Sequence, residues 1–192
     1  MREEEVIIAI SGKLHSGKST LAQSLLDWHN GETDFEITSI AHYLKVIYCK
    51  YESISMDELK ANKEKHRDGL VELGQCLRAF RPDFLIRLML NQSTVSGLRI
   101  VDDVRLTNEL FALQHHGKVF SVYIDVDNDT LLSRFTGDEK DLKRKLKDKT
   151  ETGFTGDEYW WDYRFENNST DLKEMDKQAK NILKLMKMKG LV

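Results

Sequence analysis

Near its N-terminus the chain carries Gly12-Lys13-Leu14-His15-Ser16-Gly17-Lys18-Ser19, which fits the pattern G-x-x-x-x-G-K-[ST] at every fixed position. Val6-Ile7-Ile8-Ala9-Ile10-Ser11 before it reads as a short buried parallel strand. Thr20-Leu21-Ala22-Gln23-Ser24-Leu25-Leu26 after it reads as the start of an amphipathic helix. A glycine-rich turn between strand and helix points backbone N–H groups and the positive helix end at one spot, which makes an anion cradle. Gly12, Lys13, His15, Ser16, Gly17, Lys18, Ser19 and Thr20 are therefore the candidate ATP contacts. Lys18 would reach the β/γ-phosphates and the Ser19 hydroxyl would ligate Mg²⁺. His15 reads as a variable position of the loop rather than as a catalyst.

The bulk composition narrows the setting. At 192 residues, 40% hydrophobic and 32% charged, the chain reads as one domain able to bury a real core. A net charge of −3 supplies no general attraction to nucleic acid or to an anionic membrane. Met1-Arg2-Glu3-Glu4-Glu5 lacks the cationic start and apolar core of a signal peptide, and no run of 18 apolar residues occurs. Cys49 and Cys76 have no metal-ligand spacing, so both are expected to be free, buried thiols in a reducing cytoplasm.

Along the chain, strands alternate with helices. Phe35 to Ile40 alternates as a second strand, Leu98 to Val101 reads as a buried strand ending in Asp102-Asp103, and Val119 to Val126 is the clearest strand. Tyr163 to Asn167 reads as a last short strand before a helix over Asp171 to Lys189. Pro82 is placed in the first turn of a helix over Asp83 to Leu90. The expectation is a three-layer αβα fold around a parallel five-stranded sheet. Its core would comprise 1–41, 96–135 and 159–192, with a helical insertion at 42–95 and a charged lid at 136–158. Ligands of such sheets sit at the carboxyl ends of the strands, where both insertions would emerge.

A phosphate loop alone does not name a reaction. No N/T-K-x-D follows a strand, which argues against a GTPase switch, and no strand ends in the Asp-Glu of an AAA-type motor. What remains is a small kinase closing mobile lobes over an acceptor. Asp103, beyond a buried strand, is the candidate to hold Mg²⁺ or to orient the acceptor oxygen; the competing reading is a helix N-cap. Asp102 contends for the same role, since strand alternation lets one of the two face the cleft. Arg105 offers a planar fork for phosphate or a surface pair with Glu109. Arg67 and Arg78 are eleven residues apart, about three helical turns, and share a face. They read either as a phosphate clamp or as solvated edge charges. Lys140 to Lys147 reads as an exposed helix face or as a lid bringing Arg134, Lys143 or Arg144 to the transferring group. Trp160-Trp161 reads as packing rather than a base platform.

Three stretches resemble the phage-type deoxynucleoside monophosphate kinases. They are the loop with its strand; Arg67-Asp68-Gly69-Leu70-Val71-Glu72-Leu73-Gly74-Gln75-Cys76-Leu77-Arg78 followed by Arg81-Pro82-Asp83; and Ile100-Val101-Asp102-Asp103-Val104-Arg105-Leu106-Thr107-Asn108-Glu109. Asp162 to Asn168 is a fainter echo. Animal-type phosphomevalonate kinases share the Asp-x-Arg strand end, the charged lid and the late Asn, and dephospho-coenzyme A kinases are more distant cousins. The resemblance implies acceptor binding by Arg67, Gly74, Arg78, Asp103 and Arg105, catalysis by Lys18, Asp103, Arg105, Arg134 and Arg144, and Mg²⁺ on Ser19 and Asp103. Asn167 would border the adenine. Small-molecule nucleotides are then the partners, in the cytoplasm, without nucleic acid or membrane; a homodimer is compatible with the sequence. The rival class is a non-catalytic ATP-binding protein, and a nucleic-acid-end kinase is a third reading.

Overall fold

The computed structural model describes residues 5–29, 35–92, 97–136, 138–146, 153–154, 160–169 and 171–192. The chain divides into two compact units, Met1–Thr38 with Val95–Val192, and Ser39–Thr94. In the first unit the described strands are β1 (Val6–Gly12), β2 (Phe35–Thr38), β3 (Leu98–Val101), β4 (Lys118–Asp125) and β5 (Tyr163–Glu166). They form one sheet in the order β2-β3-β1-β4-β5, with every neighbouring pair parallel.

Six of the seven residues of β1 are buried, and so are all four of β3. Continuous apolar runs are what a parallel strand needs when helices cover both faces. On one face, Leu21, Ala22 and Leu25 of α1 (Lys18–Trp28) and Met175, Ala179, Ile182 and Met186 of the last helix (Leu172–Met188) join Ile8, Ile10, Ile100, Phe120 and Val122 in the core. On the other, the helix Thr107–Gln114 contacts β1 and β4 and buries Leu110 and Leu113. Three layers follow directly from the alternation of buried side chains. A solvent-exposed β5, with Arg164 and Glu166 outward, closes the sheet edge.

The second unit is helical among its described residues: α2 (Ile40–Glu52), α3 (Met56–Ala61), α4 (Arg67–Phe80) and α5 (Phe84–Gln92). Serine caps begin the first two. The Ser39 Oγ accepts from the His42 N–H at 3.1 Å and Ser55 Oγ from the Glu58 N–H at 3.0 Å. Tyr48, Cys49 and Leu59 form its small core, with Ile54, Met56, Leu70 and Leu73 packed around them. Pro82 lies in the turn before α5 rather than inside its first turn. Cys49 is buried as expected, whereas Cys76 is exposed, because α4 turns that face outward; both are free.

After β3 the first unit continues with α6 (Thr107–Gln114), α7 (Asn128–Arg134), α8 (Glu139–Leu146) and α9 (Leu172–Met188). The expected lid over 136–158 is described only in part; Gly156, Tyr159 and the side chain of Lys143 lie outside the described residues. Its helix α8 is anchored by Leu142, fully buried with Val126 and Leu131 and packed near Leu14 of the phosphate loop. Trp160 and Trp161 pack on Phe111 and on Tyr123 and Phe154.

Candidate active site

The loop between β1 and α1 owes its shape to two glycines. Gly12 has φ +145°, and a Cβ there would lie 2.5 Å from the Ile124 carbonyl oxygen and 2.7 Å from Ser16 Oγ. Gly17 has φ +99°, and a Cβ would meet Asn167 Nδ2 and Met175 Cε at 2.6 Å each. Both are conformations that L side chains avoid, and neither site has room for a methyl group. His15 tops the loop in the left-handed region with φ +58°. Its ring meets Phe135 edge-on at 5.7 Å.

Lys18 opens α1, and its ammonium folds back to donate to the carbonyls of Gly12 at 2.8 Å and Lys13 at 2.7 Å. Burial, with the Arg105 cation next in importance, lowers its pKa from 10.5 to about 7, against the opposing pull of Asp103 and Asp102. Two cations and two carboxylates therefore converge beside the loop. Ser16 is fully buried, and its hydroxyl has no hydrogen-bond partner among the described residues. A buried hydroxyl without a partner, in a glycine-shaped loop that runs into a helix N-terminus, fits an anion cradle better than a packed core.

The Ser19 hydroxyl, exposed at the mouth, donates to Asp102 Oδ2 at 2.9 Å. The aspartate bonded to Ser19 is thus Asp102, where the sequence pairs Ser19 with Asp103. Strand alternation does not choose between them, because β3 ends at Val101 and both lie in the following turn. That turn stays attached to the sheet through Asp102 N–H to Thr38 O at 3.2 Å and Val104 N–H to Ile10 O at 3.2 Å. Both carboxylates act on Lys18 as a result. Among the described residues no three His, Cys, Asp or Glu side chains cluster as a metal site. A hydroxyl and one or two carboxylates suit Mg²⁺, which takes few protein ligands and fills its octahedron with phosphate oxygens and water.

Asn167, 6% exposed, bonds directly to the phosphate loop. Its Nδ2 donates to Ser16 O at 2.8 Å, and its N–H donates to Asp125 O at 2.8 Å, so it ties the loop to the ends of β4 and β5. Arg134, in the last turn of α7, donates from Nη1 to His15 O at 3.1 Å and from Nη2 to Ser169 O at 2.5 Å. It fastens the loop to the segment after β5. Arg144 is exposed on α8. Thr20 follows Ser19 inside α1. The sequence offered no signal for the clamping bonds of Asn167 and Arg134, since their partners are backbone carbonyls some 120 to 150 residues away.

In the helical unit, Arg67 opens α4 and Arg78 stands in its last turn, both half-buried. Gly74 is the one buried residue of α4; a Cβ there would lie 3.0 Å from Arg78 Nη1 and 3.3 Å from Leu44 Cδ2. The missing side chain lets α2 approach and lets the Arg78 guanidinium lie back over the helix. Beyond α4, Asp83 accepts from Arg81 Nε at 2.9 Å and Arg87 Nε at 2.6 Å. The hydrogen bond from Arg87 is the main reason its carboxyl is held below the usual carboxylate range.

A phosphomevalonate kinase family model matches residues 10–119, more than half of the 192-residue chain. No curated protein matches the sequence. Among solved structures, APE1195 superposes with a TM-score of 0.52 at 14% identity, covering 96% of this chain and 98% of that one. A shikimate kinase from Aquifex aeolicus gives 0.47 at 18% identity, over 96% of this chain and 98% of that chain. A gluconokinase from Sinorhizobium meliloti gives 0.48 at 12%, over 96% and 95%. The likeness to APE1195 supports the three-layer fold alone. The matched span runs from the last residues of β1 through the phosphate loop and the turn of Asp102, Asp103 and Arg105 to the start of β4, and it makes this chain a P-loop kinase of a small substrate, a member of the phosphomevalonate kinase family.

Proposed function

We propose that the protein transfers the γ-phosphoryl group of ATP to the phosphate of a small phosphomonoester, with a deoxynucleoside 5′-monophosphate as the leading acceptor. The observation that carries the reaction class is the convergence of Lys18, Arg105, Asp102 and Asp103 on one phosphate loop. Phosphoryl transfer asks the protein for little covalent work; positioning and charge neutralisation supply nearly all of the acceleration. Lys18 leaves the Gly12 and Lys13 carbonyls to take the β/γ-phosphates, and Arg105 spreads charge from the transferring group. Ser19 with Asp102 or Asp103 would hold Mg²⁺, which would supply further neutralisation of the phosphates. Arg144 on α8 is a candidate to close over the reaction and exclude water, while Arg134 holds the loop itself.

The acceptor reading rests on Arg67, Gly74 and Arg78 of α4 and on the strand end at Asp103-Val104-Arg105, which resemble the nucleotide kinases residue by residue. The family match supports a second acceptor, phosphomevalonate. Both carry a terminal phosphate for an arginine fork, and they differ in what lies behind it. ADP release measured with MgATP and a panel of deoxynucleoside monophosphates, phosphomevalonate and dephospho-coenzyme A decides between them. Turnover of a deoxynucleoside monophosphate is the expected result. Turnover of phosphomevalonate alone would replace the leading acceptor, and no turnover of any acceptor with intact ATP binding would point to a non-catalytic nucleotide-binding protein.

A further inference from the structure

Glu109 is 2% exposed, yet it belongs to neither the loop nor the aspartate pair. Its Oε2 accepts the N–H of Arg105 at 3.0 Å and the N–H of Leu106 at 3.2 Å. Helix α6 starts here with Leu106 as its N-cap residue, and a leucine side chain has no oxygen to offer the helix end. A carboxylate at the third helical position that reaches back to the N-cap N–H is half of a capping box. The bond to the Arg105 N–H lies outside any such cap. It reaches one residue further, to the residue whose charge acts on Lys18.

The same turn is gripped from its other side. A Cβ on Gly153 would lie 2.1 Å from the Arg105 carbonyl oxygen and 3.0 Å from Leu106 Cδ2, so the backbone at 153 rests directly on this peptide. The next residue, Phe154, is 6% exposed and meets the Trp161 ring edge-on at 4.9 Å, and Trp161 lies against Tyr123 of β4 at 5.2 Å. Residues 153–154 are thereby seated on the sheet, on the return side of the expected lid. The buried carboxylate on the Arg105 and Leu106 N–H groups and the Gly153 backbone against the Arg105 carbonyl restrain the two peptides that flank the Arg105 Cα.

We propose that Glu109 is a positioning residue for phosphoryl transfer, fixing the peptide of Arg105 between its own carboxylate and the backbone of Gly153 so that the guanidinium is preset toward the phosphate loop. The inference rests on the reading of Arg105 as the phosphate-binding cation. A displacement of about 1 Å in such a group lowers the rate by up to about 10²-fold.

Glu109→Gln keeps the shape and one acceptor while removing the charge that holds two donors. The expected result is a fall in kcat of about tenfold to a hundredfold with the KM for MgATP unchanged. The acceptor used is an equimolar mixture of the four deoxynucleoside monophosphates, or phosphomevalonate if only that turns over. In an Arg105→Ala background, Glu109→Gln should have no further effect, because the group it aims is gone. Full turnover by Arg105→Ala alone would overturn the reading of Arg105. An inactive Arg105→Ala beside a fully active Glu109→Gln, or effects that multiply in the double variant, would instead overturn the positioning role. Gly153→Ala should lower kcat in the same direction, and unchanged kcat would remove Gly153 from the device. Independently of turnover, amide hydrogen exchange at Arg105 and Leu106 should accelerate in Glu109→Gln while exchange in β1 does not. Unchanged exchange at those two amides would sink the proposal.

Discussion

The phosphate loop and helix α4 present their candidate phosphate-binding groups by opposite means. The loop is built from backbone: two glycines in positive φ, carbonyls that hold Lys18 in reserve, and a buried strand that gives it a fixed base. Helix α4 carries its chemistry on side chains, with Arg67 and Arg78 half-buried and only Gly74 inside. A backbone cradle fits any triphosphate, so it is set by a short local pattern. A side-chain clamp can be retuned one residue at a time, which suits the acceptor role proposed for α4.

The comparison breaks most sharply at Lys18. Lys18→Ala should lower kcat by at least about 10²–10³-fold in the ADP-release assay, since it removes a preorganised cation from the developing charge. Retained turnover would mean that the loop binds nucleotide without using it. The α4 side should respond differently. Arg67→Ala or Arg78→Ala should raise the acceptor KM about tenfold to a hundredfold and leave the KM for MgATP unchanged, because a charge-assisted bond to phosphate contributes about 1.5–3 kcal/mol. A rise in both KM values would tie these arginines to the fold instead of the acceptor.

Asn167→Ala sharpens the backbone half of the contrast. It leaves the Ser16 carbonyl without its 2.8 Å donor. Thermal or urea unfolding should show about 1–3 kcal/mol of lost stability, accompanied by weaker nucleotide binding. Unchanged nucleotide affinity would show that the loop keeps its shape without the clamp.

The smallest effect is a pH dependence. The folded pKa of Lys18, about 7, lies below its ordinary 10.5, so the unliganded fold binds fewer protons than the unfolded chain between those values. By linkage its stability rises with pH across that window. Bound polyphosphate raises the pKa again, so binding takes up a proton and nucleotide affinity should fall as pH increases above about 7, by at most tenfold per unit. Titration calorimetry in buffers of different ionisation heat reads the proton directly. No uptake at pH 8 would show that Lys18 enters the complex already charged.

Much of the donor half was legible because its signals are local. The apolar run of β1, the glycine spacing and the helix after it predict strand, loop and helix in consecutive residues, and parallel pairing follows once strands alternate with helices. The boundaries of β2 and α5 were less legible: β2 stops at Thr38, where Ser39 caps α2 although the alternation runs on to Ile40, and a turn residue such as Pro82 has no periodicity to announce it. Cys76 was misplaced for a related reason. A helix with two arginines and several apolar residues does not declare which face another helix covers.

The sequence by itself determined a phosphate loop between strand and helix on a sheet-and-helix core, because that information sits in neighbouring residues and obeys backbone sterics. The tertiary structure decided which aspartate bonds Ser19, that Asn167 and Arg134 grip the loop through its carbonyls, and that Glu109 and Gly153 hold the Arg105 peptide between them. Ser19 meets Asp102 across 83 residues, and the bonds of Asn167 and Arg134 to the loop and the seat of Gly153 on Arg105 join distant positions through backbone atoms that every residue shares. No residue pattern can encode which of them will meet. The packing of the sheet brings them together.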